Sequence, residues 1–241
     1  MMKRFYQDAA AVEIDGGYGV ALDGRNIRTP AKAVLVAPTR ALAEAIAKEW
    51  AAQVDKVDPA TMPFMKFAST AIDRIRPQRD AVTGQIAAYA QTDLICYRAE
   101  GPLDLVQLQE ESWQPLLDWC NERHGASLRA TKGVIPIDQD SASLAALSAA
   151  VCEHDDFALS ALHGLTSTSG SLVIGLAVTA GHLNAAGAVD AAQIDETFQA
   201  DKWGYDKDAA DALSGRRHEI ESATTFYALL EKIVINRNHQ R

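Results

Sequence analysis

The spacing of apolar residues changes once along this chain, and that change constrains the fold more than any other feature. In the first forty residues apolar and polar side chains alternate, and Asp23-Gly24 separates two such runs. Alternation is typical of half-buried strands, and Asp-Gly favours the turn of an antiparallel hairpin. From Thr39 onward the apolar residues recur at helical spacing. The sequence therefore predicts an α+β fold, with a small antiparallel sheet first and helices after it.

One helical segment is apolar in nearly every direction. Its members are Leu172, Val173, Ile174, Leu176 and Val178. A helix of this kind belongs in the middle of a bundle. The other expected elements are a strand at 94–97, an extended piece at 134–137 and helices over 39–50, 64–75, 78–89, 105–125, 141–151, 157–165, 190–203 and 208–235.

Some local details are also predicted. Glu44 and Lys48 should form an ion pair one turn apart on their helix. Pro115 should kink or restart the helix that contains it, because proline lacks the backbone donor. Ser141 or Ser143 should cap the helix that follows.

We expect two domains in a chain of 241 residues, since each half is long enough to bury a core. The first is a β-rich mixed domain over residues 1–100, and the second is a helical domain over residues 101–241. The composition changes gradually, so the boundary falls somewhere between residues 95 and 140.

Composition and charge exclude several classes of protein. The net charge of −9 opposes binding to a phosphate backbone, so we expect no nucleic-acid partner. The cysteines Cys96, Cys120 and Cys152 form no C-x-x-C pair, which indicates neither a zinc ribbon nor a disulfide framework. No secretory signal and no apolar run of membrane-spanning length is evident. We therefore expect a cytoplasmic chain without membrane insertion.

The common catalytic motifs are missing from the sequence, which has no H-E-x-x-H, no G-x-S-x-G and no G-x-G-x-x-G after a strand. Residues 164–171 resemble a phosphate loop, but no lysine follows Gly170, and a turn capped by Ser169 explains them better. The histidines lack metal-ligand spacing. Cys120 and His124 would meet on one helix, where a buried thiol beside a surface imidazole is the simpler interpretation. We therefore expect no catalytic residue, no cofactor and no metal.

The stretch from Ile194 to Tyr205 combines an anchored helix with exposed acids and aromatics. Ile194 and Phe198 share one face and can pack on a core, which turns the neighbouring polar residues toward water. Gly204 should end the helix, leaving Trp203 at an element boundary. Large aromatics beside charge are typical of a surface that receives a partner. The alternative is an amphipathic helix whose Trp203 fills a gap between domains.

A series of short segments in a fixed order resembles one known family. The segments are Arg4-Phe5-Tyr6, Leu22-Asp23-Gly24-Arg25, Thr29-Pro30-Ala31-Lys32, Ala43 to Trp50, Met62-Pro63, Thr70-Ala71-Ile72-Asp73, Tyr89-Ala90-Gln91-Thr92-Asp93-Leu94, Cys96-Tyr97-Arg98, and Asp195-Glu196 with Gln199 and Trp203-Gly204. Together they resemble the chaperones that assemble the soluble catalytic head of the F-type ATP synthase by protecting its alpha subunit. The resemblance covers nearly the whole chain, although each segment alone is weak.

The resemblance implies a non-enzymatic chaperone with a mixed N-terminal domain, a helical C-terminal domain and no cofactor. Such a chaperone holds a new alpha subunit until the beta subunit replaces it. The family's acidic segment falls on Asp195 and Glu196, so we expect a client-binding surface of Asp195, Glu196, Gln199, Trp203 and Gly204. The chaperone should be monomeric when free.

The family occurs in mitochondria and alpha-proteobacteria, and the lack of a transit peptide favours a bacterial member or a mature form. The tail 236–241 matches none of the family's segments and is assigned no role. The competing hypothesis is a small soluble hydrolase or transferase that uses Asp195 or Glu196 near His182.

Overall fold

The computed structural model describes residues 2–204 and 206–230. Its strands are short and belong to three separate sheets. They are Met2–Lys3 (β1), Ala9–Ile14 (β2), Gly17–Leu22 (β3), Arg25–Asn26 (β4), Lys56–Val57 (β5), Tyr97–Arg98 (β6) and Thr131–Lys132 (β7). β1 pairs antiparallel with β5, β2 through β4 form an antiparallel meander, and β6 pairs parallel with β7.

Helices dominate the rest of the chain. They are Arg40–Ala51 (α1), Pro63–Thr70 (α2), Arg79–Ala88 (α3), Leu103–His124 (α4), Ser141–Cys152 (α5), Asp156–Ser169 (α6), Leu172–Thr179 (α7), Ala185–Ala192 (α8), Ile194–Trp203 (α9) and Lys207–Ala228 (α10). A π-helical turn at Ala71–Ile75 continues α2 toward α3. The α+β class expected from the hydrophobic spacing is therefore confirmed.

The N-terminal meander forms where the alternation predicted it. Asp23 and Gly24 adopt φ values of 46° and 79°, so both turn residues lie at positive φ. Val20 and Leu22 on β3 are buried, and β2 and β3 both pack on α1. The sheet thus stands on a helix on one side, while β2 keeps exposed residues on the other.

The all-apolar segment lies at the centre of the helical part, as predicted. Every residue of α7 from Leu172 to Val178 is buried. α4, α6 and α8 pack around α7, and α6 makes its largest contact with α10. The buried apolar side chains form one continuous core that also includes Leu42 and Phe67 of the first hundred residues. The predicted division at residues 95–140 stays a prediction.

Two hydrogen bonds join the first seventy residues to the later helices across this core. Thr39 Oγ1 donates to the carbonyl oxygen of Leu229 at 2.5 Å, and Ser160 Oγ donates to that of Phe67 at 2.8 Å. Because these contacts span a large sequence separation, the N-terminal elements and the helical bundle support each other.

Several local predictions were wrong for identifiable reasons. Residues 94–97 mostly form a 3₁₀ turn rather than a strand, because the buried Asp93 side chain accepts from Ile95 N and starts the turn. The extended piece predicted at 134–137 does lie outside the helices, and Val134 is 89% exposed. The ion pair on α1 joins Arg40 to Glu44 at 2.8 Å, not Glu44 to Lys48.

Helix boundaries also differ from the sequence pattern. The helix expected over 190–203 is broken at Gln193, whose buried side chain donates to the carbonyl of Leu213 and holds a non-helical backbone. Asp140 rather than a serine caps α5, and Ser171 rather than Ser169 caps α7. α4 continues through Pro115 without restarting. Buried packing of its flanking residues outweighs the loss of one backbone hydrogen bond.

Three predictions lie outside the described residues. These are the role of Tyr205, the end of the last helix at Ile235 and the tail 236–241. Across residues 2–204 and 206–230, every helix is too short or too polar to cross a membrane.

Candidate functional site

The predicted surface centres on α9, which is anchored as its spacing suggested. Ile194 is buried and Phe198 packs partly buried against the core. Gln193 offers no side-chain cap at the start of the helix. Asp195 and Glu196 occupy the first turn, where their charge also complements the positive end of the helix dipole. The dipole favours both charges, although at Asp195 burial opposes this effect and dominates.

Asp195 does not turn fully toward water, contrary to the sequence prediction. Its Oδ1 accepts a hydrogen bond of 2.6 Å from Gln109 Nε2 on α4. Burial raises the pKa of the Asp195 carboxyl, opposed by the bond from Gln109, while the charge of Glu196 raises it further. α9 approaches α4 closely enough to half-bury this residue, which the pattern of one helix alone could not indicate.

Gln109 is the support behind Asp195. It is buried, its Oε1 accepts from Ala99 N at 2.7 Å, and its carbonyl accepts from Arg98 at 2.8 Å. Arg98 in turn lies 5.2 Å above the ring of the buried Trp113. This chain of contacts fixes the amide that holds Asp195, so the carboxylate is oriented before any partner arrives.

Glu196 is paired within the chain rather than free for a partner, which corrects the prediction that it simply faces water. Its Oε1 lies 2.7 Å from a guanidinium nitrogen of Arg216 on α10. Both side chains keep 39% of their surface exposed. An exposed pair of this kind contributes only ~0–1 kcal/mol, so a partner could exchange it for contacts of its own.

A cavity of about 320 Å³ opens between the acidic pair and the bundle. Asp195, Glu196 and Arg216 line one side of the cavity, and Trp113 lines its floor together with residues from the end of α6. The cavity thus combines an aromatic floor with two carboxylates and one guanidinium. Such a surface suits polar and cationic side chains of another protein better than a small apolar ligand.

Trp203 lies at the far end of α9 with 76% of its surface exposed. This exposure contradicts the alternative in which the ring fills a gap between domains. Gly204 follows with φ 87° and ψ 163° and ends the helix. The stop at Gly204 is confirmed, although the conformation is the extended positive-φ form that glycine alone adopts easily, not the left-handed helical one. Gln199 is exposed on the same helix.

Leu103 is a second exposed apolar residue at this end of α9. Lys202 Nζ lies 2.6 Å from Asp104 Oδ2 and 4.8 Å from the centre of the Phe198 ring, so the end of α9 is held against the start of α4. The residue before Asp104 is Leu103, which is 84% exposed. The exposed Leu103 and Trp203 are thus the sequence neighbours of one exposed ion pair. We call Leu103, Asp104, Lys202 and Trp203 the α4–α9 corner.

Sequence reasoning missed Gln109, Arg216 and Leu103. One signal could have found Gln109, because it lies four residues from both Leu105 and Trp113 and thus inside the apolar stripe of α4. A polar residue at such a position needs a buried partner. Arg216 and Leu103 have no comparable local signal, because their roles arise from how helices distant in sequence pack together.

The alternative acidic active site is not assembled. His182 stacks on Trp119 with ring centres 4.9 Å apart, and it does not line the cavity that contains Asp195 and Glu196. Within residues 2–204 and 206–230, no three histidine, cysteine or acidic side chains are grouped to hold a metal ion.

The pair Cys120 and His124 does not form an activated thiol. Burial raises the pKa of the Cys120 thiol to about 12, so the thiolate is rare at neutral pH. His124 packs edge-on against Trp119, with ring centres 5.4 Å apart. Burial also lowers the pKa of this imidazole. The interpretation as a buried thiol beside a more exposed imidazole fits these contacts.

Comparisons with known proteins agree with the fold. The family model described as ATP12 chaperone protein matches residues 3–121. The crystal structure of Atp12 from Paracoccus denitrificans superposes with a TM-score of 0.90 at 42% identity, covering 95% of this chain and 99% of that one. A candidate chaperone from Agrobacterium tumefaciens gives a TM-score of 0.90 at 38% identity, covering 95% of this chain and 86% of that one.

A more distant relative extends the likeness to eukaryotes. The mitochondrial protein Atp12 of Schizosaccharomyces pombe is 23% identical over 247 residues, which span 98% of this chain and 82% of that protein. The family model and the A. tumefaciens protein are described as chaperones, so the expectation of a non-enzymatic chaperone is confirmed, as is the resemblance stated from the sequence. The chain belongs to the ATP12 chaperone family.

Proposed function

We propose that this protein is an assembly chaperone of the F-type ATP synthase that binds the free alpha subunit of the soluble head and releases it to the beta subunit. Membership of the ATP12 chaperone family supports a role in assembly. The observation that carries the proposal further is the α4–α9 corner, where Trp203 and Leu103 expose 76% and 84% of their surfaces. Exposed large apolar side chains rimmed by charge mark protein-binding surfaces.

The five predicted residues, together with Leu103, would each contribute differently to binding. Trp203 and Leu103 would supply apolar contact, because a rigid indole buries much surface with little loss of conformational freedom. Asp195 and Glu196 would select basic side chains of the client at the mouth of the adjoining cavity. Gly204 and Gln199 would border the contact. Such a surface is small, as expected of a chaperone that must later give way to another subunit.

The internal pairs are suited to reversible binding. Glu196 with Arg216 and Asp104 with Lys202 keep each charge compensated while the chaperone is free. A client that offers a basic side chain can take over either carboxylate without leaving a charge buried alone. Because each carboxylate exchanges one cation for another, the free energies of the bound and the free chaperone differ little. The beta subunit can then displace the chaperone by mass action.

Mixing the purified chain with isolated alpha subunit, followed by gel filtration, tests the proposal. We expect the two to elute together, and the chain alone to elute as a monomer. Beta subunit alone should not elute with the chain, and beta added to the preformed complex should release it. An alpha subunit that elutes alone, or a complex that beta subunit leaves intact, would contradict the proposal.

We further propose a bacterial cytoplasmic location, with the mitochondrial matrix for eukaryotic relatives. The bacterial solved structures and the mitochondrial relative from S. pombe support this assignment. Localisation of a tagged chain by cell fractionation would test it, and recovery in the periplasm would contradict it.

A further inference from the structure

A second and larger concavity lies away from the α4–α9 corner. It is a groove of about 950 Å³ that shares no lining residue with the cavity beside Asp195. Its walls are β1, the ends of α1 and β5, the loop at residues 28–31 and α2 with its π-helical continuation. The groove therefore runs between the N-terminal sheets and the first helices, outside the surface described above.

The lining is apolar and adaptable. Trp50, Pro30 and Pro59 contribute rigid apolar surface. Three of the chain's four methionines, at positions 2, 62 and 65, also line the groove. Methionine is flexible and polarisable, and it is frequent on surfaces that accept varied apolar side chains. A groove built this way fits a segment with apolar side chains and does not demand one shape.

Two polar groups at the groove have no hydrogen-bond partner among residues 2–204 and 206–230. Trp50 Nε1 and Ser69 Oγ are both shut off from water, and neither makes a hydrogen bond among the described residues. An unmet buried donor costs about 1–3 kcal/mol, which proteins usually avoid. A peptide backbone offers carbonyl acceptors at regular intervals. Both residues line the groove, so a peptide bound there lies beside these donors.

The rim of the groove is positive although the whole chain carries −9. Arg74 is exposed and forms no ion pair in the described part of the chain. Arg28 donates through one guanidinium nitrogen, Nη1, to the carbonyl oxygen of Lys32, which leaves its other N–H donors available at the rim. Lys66 is paired with Glu219 at 2.6 Å. Two guanidinium groups are thus available to a carboxylate.

Asp73, the one acid that lines the groove in the described part of the chain, already has hydrogen-bond partners. Asp73 accepts hydrogen bonds from Thr29 Oγ1 at 2.7 Å and from Ala31 N at 3.0 Å, one on each carboxylate oxygen. Its carboxylate therefore holds the loop at residues 28–31 in place and is not free to pair with Arg74. The rim of the groove therefore still presents positive charge to a bound segment.

We propose that this groove binds an extended apolar segment of another polypeptide that carries a carboxylate. Apolar side chains of the segment fill the methionine-lined floor, backbone carbonyls accept from Trp50 and Ser69, and the carboxylate pairs with Arg74 and Arg28. Extended peptides are commonly recognised in this way, with backbone hydrogen bonds for affinity and side-chain contacts for selectivity. The inference rests on the proposed function only in assigning that segment to a client.

The test uses nuclear magnetic resonance of the full chain with ¹⁵N-labelled tryptophan indoles. The Trp50 signal is assigned with a Trp50→Phe variant. The probe is a pool of short peptides of leucine, valine and methionine, acetylated at the N-terminus and amidated at the C-terminus, that carry a single aspartate. A matched pool has lysine in place of the aspartate. Neither pool contains alpha subunit, so the result is independent of the alpha-subunit proposal.

We expect the aspartate pool to shift the Trp50 indole signal, the lysine pool to shift it much less, and neither to move the Trp203 signal. Arg74→Glu should weaken binding of the aspartate pool by about tenfold, since it reverses the charge that meets the carboxylate. Arg25→Glu is the matched control, because Arg25 is exposed but does not line the groove, and it should bind as the parent does.

Four outcomes would overturn the proposal. The first two are a Trp50 signal that neither pool shifts and a Trp50 signal that both pools shift equally. The third is a Trp50 shift that appears when the free chain is concentrated without peptide. The fourth is a Trp50 shift without peptide in a chain shortened to end at Leu230. The last two would identify a second copy or the chain's own C-terminal residues as the occupant.

Discussion

At the scale of single residues, the acidic pair of α9 has two different environments. Asp195 is half-buried against Gln109, whereas Glu196 pairs with Arg216 at the surface. Adjacent positions on a helix point about 100° apart, so neighbours in sequence often meet different surroundings. Substitutions at these two positions should therefore affect stability and binding in different proportions.

Glu196→Lys should weaken binding to the alpha subunit by at least about tenfold and lower the free energy of unfolding by only ~1 kcal/mol. The new ammonium group would face Arg216 and any basic side chain of the client. Affinity by calorimetry and urea unfolding check the two effects. Glu122→Lys on the exposed side of α4 is the control and should bind normally. A Glu196→Lys chain that fails to fold would show that the residue is structural.

Asp195→Asn should make the chain more stable at neutral pH. The folded pKa of Asp195 is raised above its ordinary value, chiefly by burial. A carboxyl group whose pKa is raised by folding contributes stability below its pKa in the unfolded chain. This contribution is lost as the pH rises through its pKa in the folded chain. Asparagine keeps an oxygen for Gln109 and never ionises. The greater stability of the asparagine variant should vanish below pH 3.8, the ordinary pKa of an aspartate side chain. Urea unfolding of both chains across pH measures this difference. A less stable variant at neutral pH would mean that the charge itself is stabilising.

At the scale of elements, side chains from outside a helix start two important helices. Asp93 Oδ2 accepts from Val173 N at 3.1 Å at the beginning of α7, and its Oδ1 accepts from Ile95 N at 3.3 Å. Glu49 on α1 accepts from Phe64 N at 2.6 Å and Met65 N at 2.8 Å at the beginning of α2. These carboxylates connect elements that are distant in sequence.

Asp93→Ala should lower the free energy of unfolding by about 3 kcal/mol, because it leaves backbone donors of α7 and the preceding turn unpaired in the core. Asp93→Asn keeps the shape and one acceptor and should cost less. Denaturant unfolding of both variants makes the comparison. Equal losses in the two variants would indicate that the charge, not the set of hydrogen bonds, holds α7.

Glu49→Gln should change how stability depends on pH. Burial raises the pKa of Glu49 from 4.5 to about 7, in spite of the two backbone hydrogen bonds. The parent chain should therefore gain stability relative to the glutamine variant as the pH falls from about 7 toward 4.5, by up to ~3 kcal/mol. Paired urea titrations across this range test the slope. A difference between the two chains that is constant with pH would show that Glu49 titrates normally.

The elements that the sequence predicted well are those whose own residues carry the signal. The Asp23-Gly24 hairpin and the all-buried α7 each follow from local pattern. The break at Gln193 and the cap supplied by Asp93 depend on partners far along the chain, Leu213 and Val173. Tertiary hydrogen bonds of this kind leave no trace in local spacing, so these elements were missed.

At the scale of the whole molecule, the surface predicted from the sequence and the α4–α9 corner share Trp203 but differ in their other residues. Helical geometry gives the angle between Trp203 and the buried face of its helix. The sequence therefore correctly predicted that the indole lies at the surface. Leu103 entered only through the packing of α4 on α9. The sequence could thus locate one half of the α4–α9 corner and not the half contributed by another helix.

The central claim, that the α4–α9 corner binds the client, makes a direct prediction for Trp203→Ala. Trp203 exposes 76% of its surface, so its truncation should change the free energy of unfolding by ~0.5 kcal/mol or less. The same variant should lose at least about tenfold in affinity for the alpha subunit, because a large aromatic anchor is removed. Val54→Ala is the matched control, since Val54 is 77% exposed and lies outside the corner.

The decisive measurement is titration calorimetry of the alpha subunit with the parent chain, Trp203→Ala and Val54→Ala, each first shown to be folded by thermal melting. We expect parent-like melting for all three chains, parent-like affinity for Val54→Ala and a much weaker complex for Trp203→Ala. A Trp203→Ala chain that melts far below the parent, or that binds the alpha subunit as tightly as the parent does, would contradict the claim.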